Sequence, residues 1–240
     1  MLEFLFSYKI KGGAKMPSKY QYVHELWLEQ SQHITSSPES WMTFLKTASW
    51  TYKYRFEDQI LIYSQKPNAR ACADFDTWNQ KMNRWIKKNT KGIALLNEKG
   101  HGLRYVFDIS DTRSPTNKPL HLWNIQEEYY PEFIEMIDNK YGPFQHSSND
   151  LGEILMKMAE VIAQDNCQDY LSSLVKYNRD SNLEYLEEHE IQTLFESLVS
   201  NTIAFEFINR CGLDTSLYFD EQDFYPITNF NSLDTIGQLG

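Results

Sequence analysis

Two short apolar runs joined by a turn-rich segment constrain the fold of this 240-residue chain more than any other feature. Residues 92–96 (GIALL) and 103–109 (LRYVFDI) have strand composition, and the segment between them, NEKGHG, contains two glycines and an asparagine. This pattern predicts a β-hairpin. Elsewhere apolar residues recur with helical spacing, as in residues 151–162 and 194–208. The sequence therefore predicts an α+β fold, with a short antiparallel sheet in its first half and a mainly helical second half.

Capping residues and prolines indicate where several helices begin and end. Ser37 is a typical N-cap and Pro38 a typical first helical residue, so a helix is expected from there, after an earlier one over residues 20–34. A helix over residues 56–64 is expected to stop at the Lys-Pro-Asn that follows.

Two further helices are predicted from the same kinds of signal. Asp74 or Asp76 can cap a third short helix containing Trp78 and Met82, and Gly212 is a typical C-terminal cap for the helix over residues 194–208. Residues 218–239 show mixed signals, so no secondary structure is predicted for them.

Composition changes at residues 112–119 (TRSPTNKP), which contain two prolines and no apolar residue. We predict a linker there, between a basic α/β unit over residues 16–111 and an acidic helical unit over residues 120–240. Residues 1–15 are predicted to be a translated leader. Lys11-Gly12-Gly13 can be encoded by a bacterial ribosome-binding sequence, and Met16 follows at start-codon distance.

Charge is segregated along the chain. Residues 46–104 contain 12 Lys and Arg against 5 Asp and Glu, a balance of +7, whereas residues 120–240 contain 5 against 22, a balance of −17. This separation of charge gives the protein an electric field that attracts a polyanion to one face and repels it from the rest of the surface.

The usual signatures of enzymes and membrane proteins are missing from the sequence. It contains no GxGxxG, GxxxxGK[ST], GxSxG or HExxH motif and no apolar run long enough for a membrane span. Cys72, Cys167 and Cys211 show no ligand spacing and are predicted to be free thiols in a reducing cytoplasm. Asp108 and Asp111 could hold a magnesium ion, but turn capping is the favoured interpretation. We predict a non-catalytic protein with no cofactor and no metal, and consider an enzyme with an unrecognised site as the least favoured alternative.

Aromatic and cationic residues alternate in residues 50–56 (WTYKYRF). In an extended segment the rings would lie on one side and the cations on the other. Core packing is the favoured interpretation for Trp50 and Phe56, whereas Tyr52 and Tyr54 carry hydroxyl groups that suit a wet surface.

A second basic segment, residues 84–91 (RWIKKNTK), places one tryptophan among four cations. A ring in such surroundings can stack on a nucleic-acid base while the cations neutralise phosphates. A solvated loop with a half-buried tryptophan is an equally ordinary interpretation.

The segments FEDQILIYSQKPNARACADFDTWNQ and RWIKKNTKGIAL resemble the N-terminal domain of ArdC-type antirestriction proteins. The resemblance is closer to the N-terminal region of large LtrC-like helicase/methyltransferase proteins of conjugative transposons, which the acidic half (RCGLD, YFDEQDF) also resembles. The resemblance implies single-stranded DNA binding. Proteolysis is not transferred by the resemblance, because this sequence lacks the HExxH motif of the ArdC metalloprotease-like domain. Helicase and methyltransferase activities are not transferred either.

The charge pattern and the resemblance together predict a single-stranded DNA-binding module of a mobile genetic element, with a strand-protection or antirestriction role. Its binding surface is predicted to comprise Tyr52, Lys53, Tyr54, Arg55, Gln59, Tyr63, Arg70, Arg84, Trp85, Lys87, Lys88 and Lys91.

The alternative prediction is an anti-defence inhibitor that binds a host restriction or CRISPR nuclease. The carboxylate-rich half would occupy the nucleic-acid channel of the nuclease as a DNA mimic. A solubilising helix surface is the competing interpretation of those carboxylates. Neither function predicts a membrane partner, and the sequence pattern carries no prediction of oligomeric state.

Overall fold

The computed structural model describes residues 18–97, 102–116, 120–144 and 150–239; the predicted leader lies outside these residues. The fold is α+β, as predicted. Across the described ranges the α-helices are α1 (Lys19–Ile34), α2 (Pro38–Thr51), α3 (Phe56–Gln65), α4 (Tyr130–Tyr141), α5 (Leu151–Lys176), α6 (Glu188–Cys211) and α7 (Leu233–Gly237). The strands in the same ranges are β1 (Cys72–Ala73), β2 (Trp85–Ile86), β3 (Ile93–Leu96), β4 (Leu103–Asp108) and β5 (Thr112–Arg113).

The predicted hairpin is confirmed. Strands β3 and β4 pair antiparallel, with Ile93 opposite Val106 and Leu96 opposite Leu103. The Asn97 amide donates to the Gly102 carbonyl over 2.9 Å. β1 adds to the other edge of β4, giving the antiparallel order β1-β4-β3, and β2 pairs with β5 in a separate two-stranded ribbon.

Local capping explains most of the helix boundaries. The Ser37 hydroxyl accepts a hydrogen bond from the Ser40 amide over 3.1 Å, and Pro38 occupies the first turn of α2. Gly212 ends α6 in the left-handed conformation (φ 81°), which glycine adopts without steric strain. The helix predicted around Trp78 is shorter than expected: a π-helical turn over Thr77–Lys81 follows Asp74, whose carboxylate accepts from the Thr77 amide, and Met82 is already its C-cap.

The core consists of two clusters that meet at α3. Leu61 and Ile62 of α3 pack with Ile93, Leu95 and other residues beneath the hairpin. Ile60 and Tyr63, on the opposite side of α3, join the larger helical cluster. The alternation arises because successive helical residues point about 100° apart, so one buried helix can serve two apolar clusters.

The larger cluster includes side chains from both sides of the predicted linker. Trp41, Phe44 and Leu45 of α2 lie in the same cluster as residues of α5 and α6, such as Leu155 and Phe205. The Trp41 indole Nε1 donates to Thr202 Oγ1 of α6 over 3.1 Å. The two predicted units therefore share a core.

The tail that had no sequence assignment completes this core. It folds into 3₁₀ turns over Thr215–Leu217 and Gln222–Asn229, followed by α7. Phe219 and Phe224 pack their rings against Phe205 of α6 with centroid distances of 5.8 and 5.7 Å, and Phe230 packs against Phe195 at 6.3 Å. No helix among the described residues is long and apolar enough to cross a membrane.

Candidate nucleic-acid interface

Arg210, in the last turn of α6, lies against three aromatic rings. Its guanidinium carbon is 4.0 Å from the ring centroid of Tyr52, 5.5 Å from that of Trp123 and 5.9 Å from that of Trp50. The guanidinium carbon of Arg70 lies 4.9 Å from the Trp50 centroid. These are cation–π distances. We call Trp50, Tyr52, Arg70, Trp123 and Arg210 the arginine–aromatic cluster.

Hydrogen bonds to the end of α2 hold the arginine–aromatic cluster in place. Arg210 Nη1 donates to the Ser49 carbonyl over 3.3 Å, and the neighbouring Asn209 Nδ2 donates to Ser49 Oγ over 2.5 Å. Gln59 Nε2 donates to the carbonyls of Thr51 (3.3 Å) and Tyr54 (3.1 Å), which fixes the turn between α2 and α3. These contacts place Tyr52, the C-cap of α2, beside the end of α6.

The arginine–aromatic cluster lines a groove of about 320 Å³. Tyr52 and Trp123 are 47% and 48% exposed, so about half of each side chain is accessible although Arg210 contacts both rings. Arg70 and Lys53 are exposed at the same groove. Flat apolar faces next to fixed cations are the combination that binds an unpaired nucleic-acid strand.

Three predicted site residues have structural roles instead. Tyr63 is 9% exposed and packs edge-to-face on Phe44, so its ring cannot stack on a base. The Tyr54 hydroxyl donates to the Cys72 carbonyl over 2.8 Å, and burial raises the pKa of this tyrosine. The Gln59 side chain is occupied by its hydrogen bonds to the carbonyls of the α2–α3 turn. Residues 50–56 are not extended, as the alternation of rings and cations would require: they include the end of α2, a turn and the first residue of α3. Gln59 and Tyr63 lie within α3.

A second basic surface is formed by the β2–β5 ribbon together with the segment between β2 and β3, and we define it by Trp85, Lys87, Lys88, Lys91 and Arg113. Trp85 is 47% exposed, and the Arg113 guanidinium carbon lies 5.5 Å from its ring centroid. Lys87 Nζ donates to the Ser110 carbonyl over 2.7 Å, and Lys88 and Lys91 are exposed. Trp85 therefore lies in β2, and the three lysines follow it in the exposed segment between β2 and β3.

The π-helical turn connects the ribbon to the groove. Trp78 and Met82 line the groove, and the Arg84 amide donates to the Trp78 carbonyl over 2.8 Å before the chain enters β2. Arg84 Nε donates to Thr112 Oγ1 over 2.7 Å, so this arginine helps to hold β2 against β5. Arg55 is exposed and forms an ion pair of 3.4 Å with Glu57, a pair too exposed to contribute much stability.

The carboxylates considered as metal ligands are turn caps, as favoured from the sequence. Burial opposes the ionisation of Asp108, but hydrogen bonds to its carboxylate from Ser110, Ala71 and Arg70 outweigh this effect and lower its pKa. The Asp111 carboxylate lies 2.6 Å from Lys66 Nζ. Within the described ranges, no group of three or more potential ligands could hold a metal ion.

Sequence reasoning missed Arg210, Trp123 and Arg113. Arg210 and Trp123 lie in the acidic half, where the net charge gave no reason to expect a polyanion site. The signal that could have found Arg210 is its position just before the capping Gly212, because cations are favoured in the last turn of a helix.

Comparison of the chain with protein-family models, with curated proteins and with solved structures gave no match in any of the three. The ArdC-like resemblance stays a prediction from sequence motifs.

Proposed function

We propose that this protein is a non-catalytic single-stranded DNA-binding module that acts in the cytoplasm as part of a mobile genetic element. The observation that carries the proposal is the arginine–aromatic cluster, in which Arg210 lies against Tyr52 and Trp123 while both side chains stay about half exposed at the groove. Its role in the element would be to protect the transferred strand or to counter host restriction, as the sequence resemblance implies.

A single strand fits this groove better than a duplex does. Bases in a duplex are stacked on each other and cannot present their faces to Tyr52 and Trp123. Each base stacked on an aromatic ring contributes about 1–3 kcal/mol, and phosphate contacts add a salt-dependent term. Two stacked bases with several phosphate contacts are sufficient for binding in the micromolar range, which corresponds to about 8 kcal/mol.

Fluorescence anisotropy with labelled single-stranded and duplex oligonucleotides at two salt concentrations tests the proposal. We expect salt-sensitive binding to the single strand, weaker binding to the duplex, and a loss of affinity of about tenfold or more for Tyr52→Ala or Trp123→Ala. Tyr177→Ala is the matched control, because Tyr177 is also exposed and has a lysine, Lys176, 4.9 Å from its ring centroid. Equal affinity of the Tyr52, Trp123 and Tyr177 variants would contradict the proposed site.

A second candidate function is inhibition of a host nuclease by the acidic half. The observation in its favour is Tyr185, which is 87% exposed and lies among exposed carboxylates at Asp180, Glu184, Glu187 and Glu188. An exposed tyrosine within an anionic surface is a suitable anchor for a basic protein channel. A pull-down with restriction or CRISPR nucleases that loses its target on Tyr185→Ala would favour this function; capture unaffected by that change would count against this surface.

A further inference from the structure

A second cavity of about 490 Å³ lies next to the groove, between α2, α3 and α6. Its walls include the rings of Trp41, Phe44 and Phe56, together with Glu206 of α6. Tyr52 and Tyr54 line both this cavity and the groove, so the two openings share a wall. The volume is in the range of small-ligand sites, which combine apolar walls with a few polar groups.

Glu206 is one of five polar or charged residues that line the cavity, besides the two tyrosines; the others are Arg55, Glu57, Gln59 and Thr202. The Glu206 side chain is half-buried beside aromatic rings, and its carboxylate has no hydrogen bond or ion pair with any residue that the structure describes. Burial raises its pKa from 4.5 to about 7. A half-buried carboxylate that accepts no hydrogen bond from the protein can accept from a ligand that supplies N–H groups at this cavity.

The two carboxylate oxygens select among the four bases by hydrogen-bonding pattern. The Watson–Crick edge of guanine presents two adjacent donors, N1–H and N2–H, whereas adenine and cytosine each present one amino group beside an acceptor nitrogen. Thymine presents one N–H between two carbonyl groups. An ionised carboxylate accepts only, so guanine alone can donate to both oxygens at once.

We propose that this cavity binds an unstacked guanine whose N1–H and N2–H donate to the Glu206 carboxylate, while the neighbouring nucleotides follow the arginine–aromatic cluster. The inference rests on the proposed single-stranded DNA binding and adds a base preference to it. Tyr52, at the wall that the two openings share, lies where the strand turns its guanine inward.

The test uses thymine oligonucleotides that carry one central guanine, inosine, adenine or thymine, measured by anisotropy at pH 8. A good bidentate pair contributes about 1–3 kcal/mol of discrimination, so wild-type protein should bind the guanine strand roughly 10–100-fold more tightly than the all-thymine strand. Inosine lacks the N2 amino group and should fall between the two. Glu206→Gln should lose the guanine preference, so that its affinities for the guanine and all-thymine strands become equal within about twofold. Glu160→Gln, an exposed glutamate of α5, is the control and should behave as wild type.

The outcomes separate the inference from the function on which it rests. Absence of binding to every strand overturns the proposed function. Equal binding of all four strands by the wild-type protein overturns the guanine site and leaves single-strand binding intact. A guanine preference that persists in Glu206→Gln, or that does not distinguish guanine from inosine, also overturns the site. The guanine–inosine comparison needs no variant, so it remains decisive if a substitution perturbs folding.

Discussion

The guanidinium of Arg210 lies 4.0 Å from the ring centroid of Tyr52, and this contact joins the acidic half of the chain to its basic half. The two residues are far apart in the sequence, and Tyr52 belongs to the basic half whereas Arg210 belongs to the acidic half. Their contact depends on the packing of the end of α6 against the end of α2. There, Asn209 and Arg210 donate hydrogen bonds to Ser49. The positive charge of the proposed interface is therefore assembled by the tertiary fold.

Replacing Arg210 should weaken single-strand binding more than its single charge suggests. Arg210→Met removes a cation that orders Tyr52 and Trp123, so we expect affinity to fall by about tenfold or more. If the arginine also contacts one phosphate, the slope of log K against log salt should become shallower by about 0.7. Arg210→Lys keeps the charge and should restore the slope but only part of the affinity, since lysine lacks the planar group. Anisotropy titrations across a salt series measure both quantities.

The shared core predicts that the described part of the chain unfolds as one unit. Phe44 is 1% exposed and packs with Trp41, Phe56 and Tyr63. Phe44→Ala should lower the free energy of unfolding by about 3–5 kcal/mol. Tyr185→Ala, at a side chain that is 87% exposed, is the control and should change it by less than about 1 kcal/mol. Urea unfolding followed by far-UV circular dichroism and by tryptophan fluorescence should give coincident transitions, whereas two separated transitions would indicate independent units.

Local signals in the sequence were sufficient for the hairpin and for several helix ends, but not for the tail over residues 218–239 or for the site. Ser37, Pro38 and Gly212 mark helix ends through their own backbone chemistry, so they can be read without knowledge of neighbours. Tyr63 could not be placed in this way, because nothing local decides which face of α3 is covered by α2. Arg210 and Trp123 reach the groove only through contacts between distant segments, and the local signal for a cation near the end of α6 does not say which rings that cation contacts.

Glu206 predicts a pH-dependent difference between the wild-type protein and Glu206→Gln. Burial raises its pKa from 4.5 to about 7, so between these values the folded state binds more protons than the unfolded state does, and the stability of the wild type falls as pH rises. The charged and titratable groups that share the cavity are Tyr52, Tyr54, Arg55 and Glu57. Glu206→Gln should match the wild type near pH 4.5 and exceed its stability by about 1–3 kcal/mol above pH 7. Thermal melts at pH 5 and pH 8 measure this; a difference that is constant with pH would mean that Glu206 titrates alike in both states.

Charge reversal on the β2–β5 ribbon tests whether this surface extends the groove. Lys87, Lys88 and Lys91 are exposed, and Trp85 beside them offers a ring for one further base. Replacing the three lysines by glutamate should weaken single-strand binding by at least a hundredfold at low salt, because three attractive interactions become repulsive. The salt dependence should flatten by about 2 units of slope, at roughly 0.7 for each phosphate that is no longer neutralised. Lys140→Glu with Lys176→Glu, two exposed lysines on α4 and α5, is the control for net charge and should have a much smaller effect. If the control pair weakens binding as much per charge as the ribbon variant does, the ribbon acts only through the overall field of the protein, and the strand is bound by the arginine–aromatic cluster alone.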